Sequence, residues 1–169
     1  MIVFGATGFT GRLVAEYLVG RYGVDREVTW AMAGRSEDKL QAVRDEIGAP
    51  QSTPLVVADS GDDASLAAMA ERAHCVLTTV GPYLWYGEGL VRACADSGTD
   101  YVDLSGEVLW MRDMIGRYHD RAVETGARIV HSCGFDSIPF DLGVLFLQQA
   151  AEARFGSPCQ RVRTRVSSW

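Results

Sequence analysis

The chain has 169 residues, 47% of them hydrophobic and 22% charged, which suits one globular domain. Its formal net charge of −6 argues against nucleic acid or an anionic membrane surface as the main partner. The sequence shows neither the pattern of a signal peptide nor an apolar stretch long enough to span a membrane. The four cysteines lack any zinc-like spacing with the histidines, so we expect reduced thiols, no metal site and a cytoplasmic location.

The chain begins with an apolar run, a glycine-rich turn and a helical pattern. Residues 2–4 predict a buried strand, and residues 10–20 predict a helix, because apolar side chains recur four residues apart. Between them lie Gly5, Gly8 and Gly11, an order in which such glycines bind nucleotides. The first allows a sharp turn, the second leaves room for a pyrophosphate, and the third lets the helix pack closely on the strand. The alternative is that these glycines only form the turn before the helix and bind no nucleotide.

The same alternation of strand and helix continues along the chain. Further strands are predicted at residues 28–33, 54–58, 75–80, 101–104 and 128–131, with helical patterns between them. This alternation predicts an α/β fold, a Rossmann-type doubly wound parallel sheet of about six strands in the order 3-2-1-4-5-6. The cofactor is expected across the carboxyl ends of the first and fourth strands.

The last residues suggest a second unit. Residues 161–166 alternate polar and apolar side chains like a strand, but a single strand there has nothing to pair with. We therefore expect a dinucleotide-binding domain over residues 1–159 and the start of a truncated second domain at residues 160–169. The alternatives are a disordered tail and a strand added to the edge of the sheet.

The tip of the second predicted strand carries Arg35 and Ser36 where sites selective for NAD carry an acidic residue. A guanidinium group suits a 2′-phosphate by its charge and by its planar fork of donors, and a serine hydroxyl can add a contact. The sequence therefore predicts NADP in preference to NAD. The alternative is that Arg35 is a solvated surface residue.

The tips of the next two strands supply further candidates for cofactor binding. Asp59 either accepts from the adenine amine or caps the following helix. The backbone of residues 79–83 is expected along the ribose on the nicotinamide side. Tyr83, Trp85 and Tyr86 form an aromatic wall there or pack against a second domain. The predicted cofactor-binding residues are Gly5, Thr7, Gly8, Phe9, Thr10, Gly11, Arg35, Ser36, Asp59, Val80, Gly81, Pro82 and Tyr83.

Two polar turns follow the last two predicted strands, at residues 103–107 and 132–141. Such turns at strand ends are where α/β enzymes place their sites. The sequence assigns no catalytic residue. The candidates by location alone are Tyr83, Asp103, Glu107 and Asp136. Glu107 and Ser137 suit the first residues of helices equally well, and for Ser137 we favour the capping role.

Five motifs occur in order: GATGFTG at residues 5–11, AGR at 33–35, TVGPY at 79–83, YVDLSGE at 101–107 and GFDSIP at 134–139. Together they resemble the saccharopine dehydrogenase-like oxidoreductases, and among these the trans-acting enoyl reductases of actinobacterial lipid synthesis. The resemblance implies an N-terminal NADP-binding domain followed by a larger α/β domain that closes over the substrate. It also implies that NADPH reduces a carbon–carbon double bond of an acyl chain. The wider family includes amino-acid dehydrogenases.

Three functional classes follow from these observations. The first is an NADP(H)-dependent oxidoreductase that acts on an acyl or other small-molecule substrate through its second domain. The second is a short-chain dehydrogenase, which is disfavoured because no tyrosine has a lysine four residues later and Lys39 is the single lysine. The third is a non-catalytic NADP-binding sensor or regulatory module. For these 169 residues alone we expect binding without turnover, and the oligomeric state is left open.

Overall fold

The computed structural model describes residues 1–23 and 27–166. The strands are β1 (Ile2–Phe4), β2 (Ala31–Gly34), β3 (Leu55–Val57), β4 (Cys75–Thr78), β5 (Asp100–Val102) and β6 (Ile129–Val130). The helices are α1 (Phe9–Tyr22), α2 (Glu37–Glu46), α3 (Asp63–Ala70), α4 (Tyr83–Tyr86), α5 (Glu88–Ser97), α6 (Val108–Thr125) and α7 (Ile138–Phe155). The six strands are parallel and lie in the order β3-β2-β1-β4-β5-β6. This confirms the predicted Rossmann-type sheet.

Helices cover both faces of this sheet, because its strands are apolar on both sides. On one face, Phe4 packs in a cluster with Leu66 of α3 and Trp110 of α6. On the other face, Val3 packs in a second cluster that includes Leu40 of α2. Burial on two faces fixes the register of each strand, since a shift by one residue would exchange the two sets of side chains.

The helix α7 differs from the others because little of it is buried. Ala151 is its one buried residue, and Phe146 is 69% exposed. No helix in residues 1–23 and 27–166 is both long and apolar enough to cross a bilayer.

The structure departs from the sequence-based elements in two places. A one-turn helix, α4, follows β4 where a loop is expected, and it begins after Pro82. The strand predicted at residues 161–166 is wrong, because these residues have no regular secondary structure. A strand needs a partner edge, and the sheet of the described residues contains only β1 to β6. Residues 167–169 of the expected second domain lie outside the described residues.

The turn between β1 and α1 is held closely against the sheet. Gly5 has a φ of +89° and donates its N–H to the carbonyl oxygen of Ala33 at 3.0 Å. A Cβ added to Gly11 would overlap the carbonyl group of Gly5. Both glycines are therefore required by geometry, one for its backbone conformation and the other for the close approach of α1.

This packing predicts opposite effects for two glycine-to-alanine substitutions in α1. Gly11→Ala should destabilise the fold by about 1–3 kcal/mol or more, because its methyl group meets backbone that cannot move aside cheaply. Gly20→Ala is the matched control, since nothing lies within 4 Å of its added Cβ. It should stabilise the protein by about 0.5–1 kcal/mol through helix propensity. Urea unfolding measures both, and equal free energies of unfolding for the two variants would contradict the close approach.

Candidate functional site

A cleft of ≈ 290 Å³ opens at the carboxyl edge of the sheet, above β1, β2 and β4. It is lined by Phe4, Gly5, Thr7, Gly8, Gly34, Arg35, Ser60, Thr79, Val80, Gly81 and Tyr86. The parallel topology brings these residues together, because the turns after β1, β2, β3 and β4 leave the sheet at the same edge. We call this cavity the glycine-turn cleft.

The helix α1 begins at the glycine-turn cleft, where its N-cap residue Gly8 is part of the lining. Gly8 is the N-cap residue of α1 and makes no side-chain capping bond. The first amides of a helix have no carbonyl partner within it. Arg12 is the first residue of α1 whose N–H reaches a carbonyl, that of Gly8, at 2.9 Å. A Cβ on Gly8 would lie 3.3 Å from the oxygen of Gly5 and would narrow this space. The helix N-terminus therefore suits an anionic group such as a pyrophosphate.

Thr79 holds the glycine turn against β4. Its hydroxyl lies 3.3 Å from the carbonyl oxygen of Phe4 and 3.4 Å from that of Gly5, and it donates to this pair. A Cβ on Gly5 would lie 2.7 Å from the same hydroxyl oxygen, so the contact leaves room for glycine only. The two strands that flank the cleft are thus fastened to each other at their tips.

Arg35 lies in the lining of the cleft, and its side chain is exposed. Among the described residues it has no carboxylate partner, so its guanidinium group is available to a ligand. Ser36 is not in the lining. It is the N-cap of α2, and its hydroxyl accepts from the N–H of Lys39 at 3.4 Å. The structure thus shows a capping contact for Ser36, and its contact with the 2′-phosphate stays a prediction.

Asp59 shapes the turn after β3 without capping α3. One carboxylate oxygen accepts from the N–H of Gly61 at 2.9 Å, while Asp62 is the residue that caps the helix. The capping alternative for Asp59 is therefore wrong, because the chain makes an extra turn before α3 begins. The next residue, Ser60, lies in the lining of the cleft. A contact between Asp59 and adenine stays a prediction.

The aromatic wall expected after β4 is built differently from the prediction. Tyr83 is 5% exposed, and its hydroxyl donates to the carbonyl oxygen of Thr78 at 3.2 Å. Burial raises the pKa of Tyr83 to about 12. The helix α4 turns this ring inward onto Trp110, with ring centroids 5.4 Å apart, and a catalytic role for Tyr83 stays a prediction by location. Tyr86 is the aromatic residue that lines the cleft, and Trp85 is 73% exposed.

Glu107 joins the loop after β5 to the loop after β4. Its two carboxylate oxygens accept from the N–H groups of Tyr83 at 2.7 Å and Leu84 at 2.8 Å. These are the first amides of α4, so the carboxylate caps a helix remote in sequence. Both oxygens are engaged in this contact, which gives Glu107 a structural role, and a catalytic role stays a prediction by location.

Asp103 joins the loops after β5 and β6 in the same way. It is 2% exposed and accepts from the Tyr101 hydroxyl at 2.9 Å and from the N–H groups of Ser105 at 3.0 Å and Ser132 at 2.9 Å. His131 Nδ1 lies 2.7 Å from its Oδ2. Burial raises the pKa of Asp103, but the hydrogen bonds from His131 and the two amides outweigh burial and lower it below the usual value. The carboxylate is therefore a buried structural anion.

A second cavity of ≈ 320 Å³ lies at the same edge, beside β4, β5 and the start of α7, and we call it the β5–β6 cavity. It is lined by Thr10, Val14, Leu77, Val102, Asp103, Leu104, Ser105, Gly106, Cys133, Gly134, Phe135, Asp136 and Ser137. Asp136 is exposed there. Ser137 is the N-cap residue of α7 by position, but its side chain makes no capping bond. The expected capping by this hydroxyl is therefore wrong.

The structure gathers part of the predicted cofactor set. In the lining of the glycine-turn cleft are Gly5, Thr7, Gly8, Arg35, Val80 and Gly81, and Thr10 lines the β5–β6 cavity. Outside both linings are Phe9, Gly11, Ser36, Asp59, Pro82 and Tyr83. Phe4, Gly34, Ser60, Thr79 and Tyr86 line the cleft but are absent from the predicted set. Each of these residues lies at the tip of a strand, in a motif or within a few residues of one. Including the neighbours of each motif would have predicted them.

The chain is similar to proteins of known family. The sequence model of the saccharopine dehydrogenase NADP binding domain matches residues 1–130. A trans-acting enoyl reductase of Mycobacterium ulcerans is 52% identical over 152 residues, which are 89% of this chain and 36% of that protein. A trans-acting enoyl reductase of Mycobacterium leprae is 48% identical over 161 residues, which are 94% of this chain and 38% of that protein. The chain thus spans little more than a third of the length of these relatives.

Two solved structures have the same fold. Apo saccharopine dehydrogenase (L-Glu forming) of Saccharomyces cerevisiae has a TM-score of 0.69 and 19% identity, covering 90% of this chain and 31% of that one. Triphenylmethane reductase of Citrobacter sp., in complex with NADP(H), has a TM-score of 0.57 and 16% identity, covering 89% of this chain and 55% of that one. At these identities the likeness establishes the architecture alone.

The contact of Glu107 with α4 predicts the effect of replacing one carboxylate oxygen by an amide. In Glu107→Gln, one amide N–H of α4 should lose its acceptor and face another donor, at a cost of about 1–3 kcal/mol. Glu124→Gln is the control, because Glu124 is 67% exposed and pairs with Arg121 at 3.3 Å on the surface of α6. It should change the free energy of unfolding by less than about 0.5 kcal/mol. Urea unfolding followed by tryptophan fluorescence measures both, and a control as costly as Glu107→Gln would refute the cap.

The lowered pKa of Asp103 predicts a dependence of stability on pH. A carboxyl group whose folded pKa lies below its unfolded value stabilises the fold above the unfolded pKa, about 4, and this contribution is lost as the pH falls through the folded pKa. Asp103→Asn removes the charge at every pH. The difference in free energy of unfolding between wild type and variant should therefore be largest near pH 7 and shrink towards pH 3. Urea unfolding across this range measures it, and a difference independent of pH would contradict the buried anion.

Proposed function

Because the chain belongs to the family of saccharopine dehydrogenase NADP-binding domains, we propose that it is the cofactor-binding part of an oxidoreductase that reduces an acyl substrate with NADPH. The observation that carries the proposal is the glycine-turn cleft, whose lining contains both Gly8, the N-cap residue of α1, and Arg35. These are the two groups that a dinucleotide with a 2′-phosphate requires.

The residues of the glycine-turn cleft fit the cofactor of the family. Gly8 and the first amides of α1 would hold the pyrophosphate, since a side chain at Gly8 would crowd the turn. Arg35 would pair with the 2′-phosphate, because its fork of donors matches a phosphate and its charge has no described partner. Val80 and Gly81 line the β4 side of the cleft, where the ribose nearer the nicotinamide is expected. When bound, NADPH supplies the hydride.

The β5–β6 cavity supports the proposal that the substrate places an apolar, uncharged group beside the cofactor. Its walls include Val14, Leu77 and Phe135, and its lining contains no arginine or lysine. Its two carboxylates are Asp103, which is fully engaged, and Asp136. A cavity of this kind offers no counter-ion to the carboxylates of an amino acid. It suits an acyl group, in line with the name of the mycobacterial relatives, trans-acting enoyl reductase.

The domain organisation follows from the same comparison. Residues 1–159 would form the cofactor domain, and a second domain, which completes the substrate site, would begin near residue 160. The greater length of the relatives supports this division, since the matched residues are 36% and 38% of those proteins. The exposure of Phe146 on α7 also supports it, because so large an apolar side chain is typical of an interface. A cytoplasmic location is supported by the four free cysteines.

The choice of NADP over NAD depends on Arg35 and can be tested on this chain. Titration of NADPH and NADH into the protein, followed by nicotinamide fluorescence, should show tighter binding of NADPH. In Arg35→Ala, NADPH should bind about 10- to 100-fold more weakly, the loss expected for a charged hydrogen bond, while binding of NADH stays nearly unchanged. Arg21→Ala, at the opposite end of α1, is the control. An unchanged preference for NADPH in Arg35→Ala would overturn the assignment.

A further inference from the structure

The helix α7 is apolar on two opposite sides, and neither the cofactor site nor the substrate cavity accounts for the outer one. An α-helix turns by about 100° per residue, so residues nine positions apart lie on opposite sides of it. Ala151, the one buried residue of α7, marks the side that packs on the domain. Leu142 comes nine positions earlier and therefore lies on the side that faces away, where it is 53% exposed.

The outer side of α7 is uncharged as well as apolar. Its residues recur three or four positions apart, the spacing of one side of a helix, and we call them the outer α7 face: Ile138, Leu142, Leu145, Phe146, Gln149 and Ala153. Leu145 and Phe146 are 52% and 69% exposed. The charged residues of α7 all lie outside this face: Asp141, Glu152 and Arg154. A helix side that faces water usually carries charged side chains, so this pattern predicts a face that is covered.

The chain that leaves α7 turns back along the same helix. It reverses at Gly156, the C-cap residue, which has a φ of +72°. The side-chain amide of Gln148 then donates to the carbonyl oxygen of Cys159 at 3.0 Å, and the side-chain oxygen accepts from the N–H of Cys159 at 2.7 Å. Because Gln148 lies about two turns before the end of α7, the residues that follow Cys159 start beside the helix.

We infer that the second domain packs on the outer α7 face through an apolar, uncharged surface of its own. The inference rests on the proposed function, which places a second domain after residue 160. The matched residues are 36% and 38% of the two mycobacterial relatives, so those proteins have further chain that could cover a helix. The model of the NADP binding domain matches residues 1–130, and α7 lies beyond them.

The size of the outer α7 face favours a domain of the same chain over a second copy. A stable interface between separate proteins buries about 800 Å² on each partner, from about 20–30 residues. Six residues are too few for such a contact. A domain joined by a short linker has an effective concentration of the order of millimolar, so a smaller surface holds it in place.

The position of the outer α7 face also links it to the proposed substrate site. Asp136 and Ser137 line the β5–β6 cavity, and α7 begins at the next residue. A domain that packs on α7 is therefore held next to this cavity, where it can complete the walls around a substrate.

Hydroxyl-radical footprinting tests the contact by comparing the 169-residue chain with the full-length protein. In the full-length protein the oxidation of Phe146 should be roughly tenfold slower, because a side chain that is 69% exposed becomes part of a packed interface. Tyr17, which is 61% exposed on α1, is the internal control and should be oxidised at the same rate in both. Dilution of the full-length protein should leave the protection of Phe146 unchanged.

Phe146→Asp tests the same contact through proteolysis, with Tyr17→Asp as the matched control. In the full-length protein, Phe146→Asp should make tryptic cleavage after Arg161, Arg163 and Arg165 about 10- to 30-fold faster, the effect of losing an aromatic anchor of an interface. Tyr17→Asp should not change this rate. In the 169-residue chain neither variant should shift the urea midpoint, which shows that both fold.

Three results would each overturn the inference. They are equal oxidation of Phe146 in the two lengths of protein, protection of Phe146 that is present in the 169-residue chain or is lost on dilution, and equal acceleration of cleavage by the two variants. Loss of protection on dilution would identify a second copy as the occupant. Neither experiment uses a nucleotide, so the NADPH titration of Arg35→Ala tests the proposed function separately.

Discussion

Parallel pairing is the constraint on which the rest of this structure depends. Because all six strands run in one direction, every turn after a strand leaves the sheet at the same edge. Residues as distant in sequence as Gly5, Arg35 and Gly81 thereby line one cleft. The turns that follow β5 and β6 line the cavity beside it. The positions of the glycine-turn cleft and the β5–β6 cavity therefore follow from the parallel topology and do not depend on any individual side chain.

Two carboxylates, of the buried Asp103 and the partly buried Glu107, hold these turns in place. Asp103 ties the turn after β5 to the turn after β6 through the amides of Ser105 and Ser132. Glu107 ties the turn after β5 to the start of α4 through the amides of Tyr83 and Leu84. Charge-assisted hydrogen bonds to backbone amides are stronger than neutral ones. The turns after β4, β5 and β6 are thus braced, at the part of the edge that lines the β5–β6 cavity.

The sequence was sufficient for the sheet and for the position of the glycine turn, because both follow from local patterns. Apolar runs, glycine spacing and the residue at a strand tip each depend on a few neighbouring positions, and Gly8 and Arg35 lie where those patterns place them. The inward turn of Tyr83 could not be predicted in this way. It depends on a helical turn that Glu107 caps from 24 residues away. A contact between residues so far apart leaves no pattern in the local sequence. A prediction based only on position at a strand tip therefore assigns too many polar side chains to the cleft.

The same contacts narrow the source of any proton that the reaction requires. Of the four candidates by location, the hydroxyl of Tyr83 donates to a backbone carbonyl, and the carboxylates of Asp103 and Glu107 accept from backbone amides. Each is held by the fold, and releasing it would loosen a turn. Asp136 is the remaining candidate, exposed in the lining of the β5–β6 cavity. Three of the four candidate side chains thus hold turns in place, and for the proposed reduction Asp136 is the candidate whose side chain is left exposed.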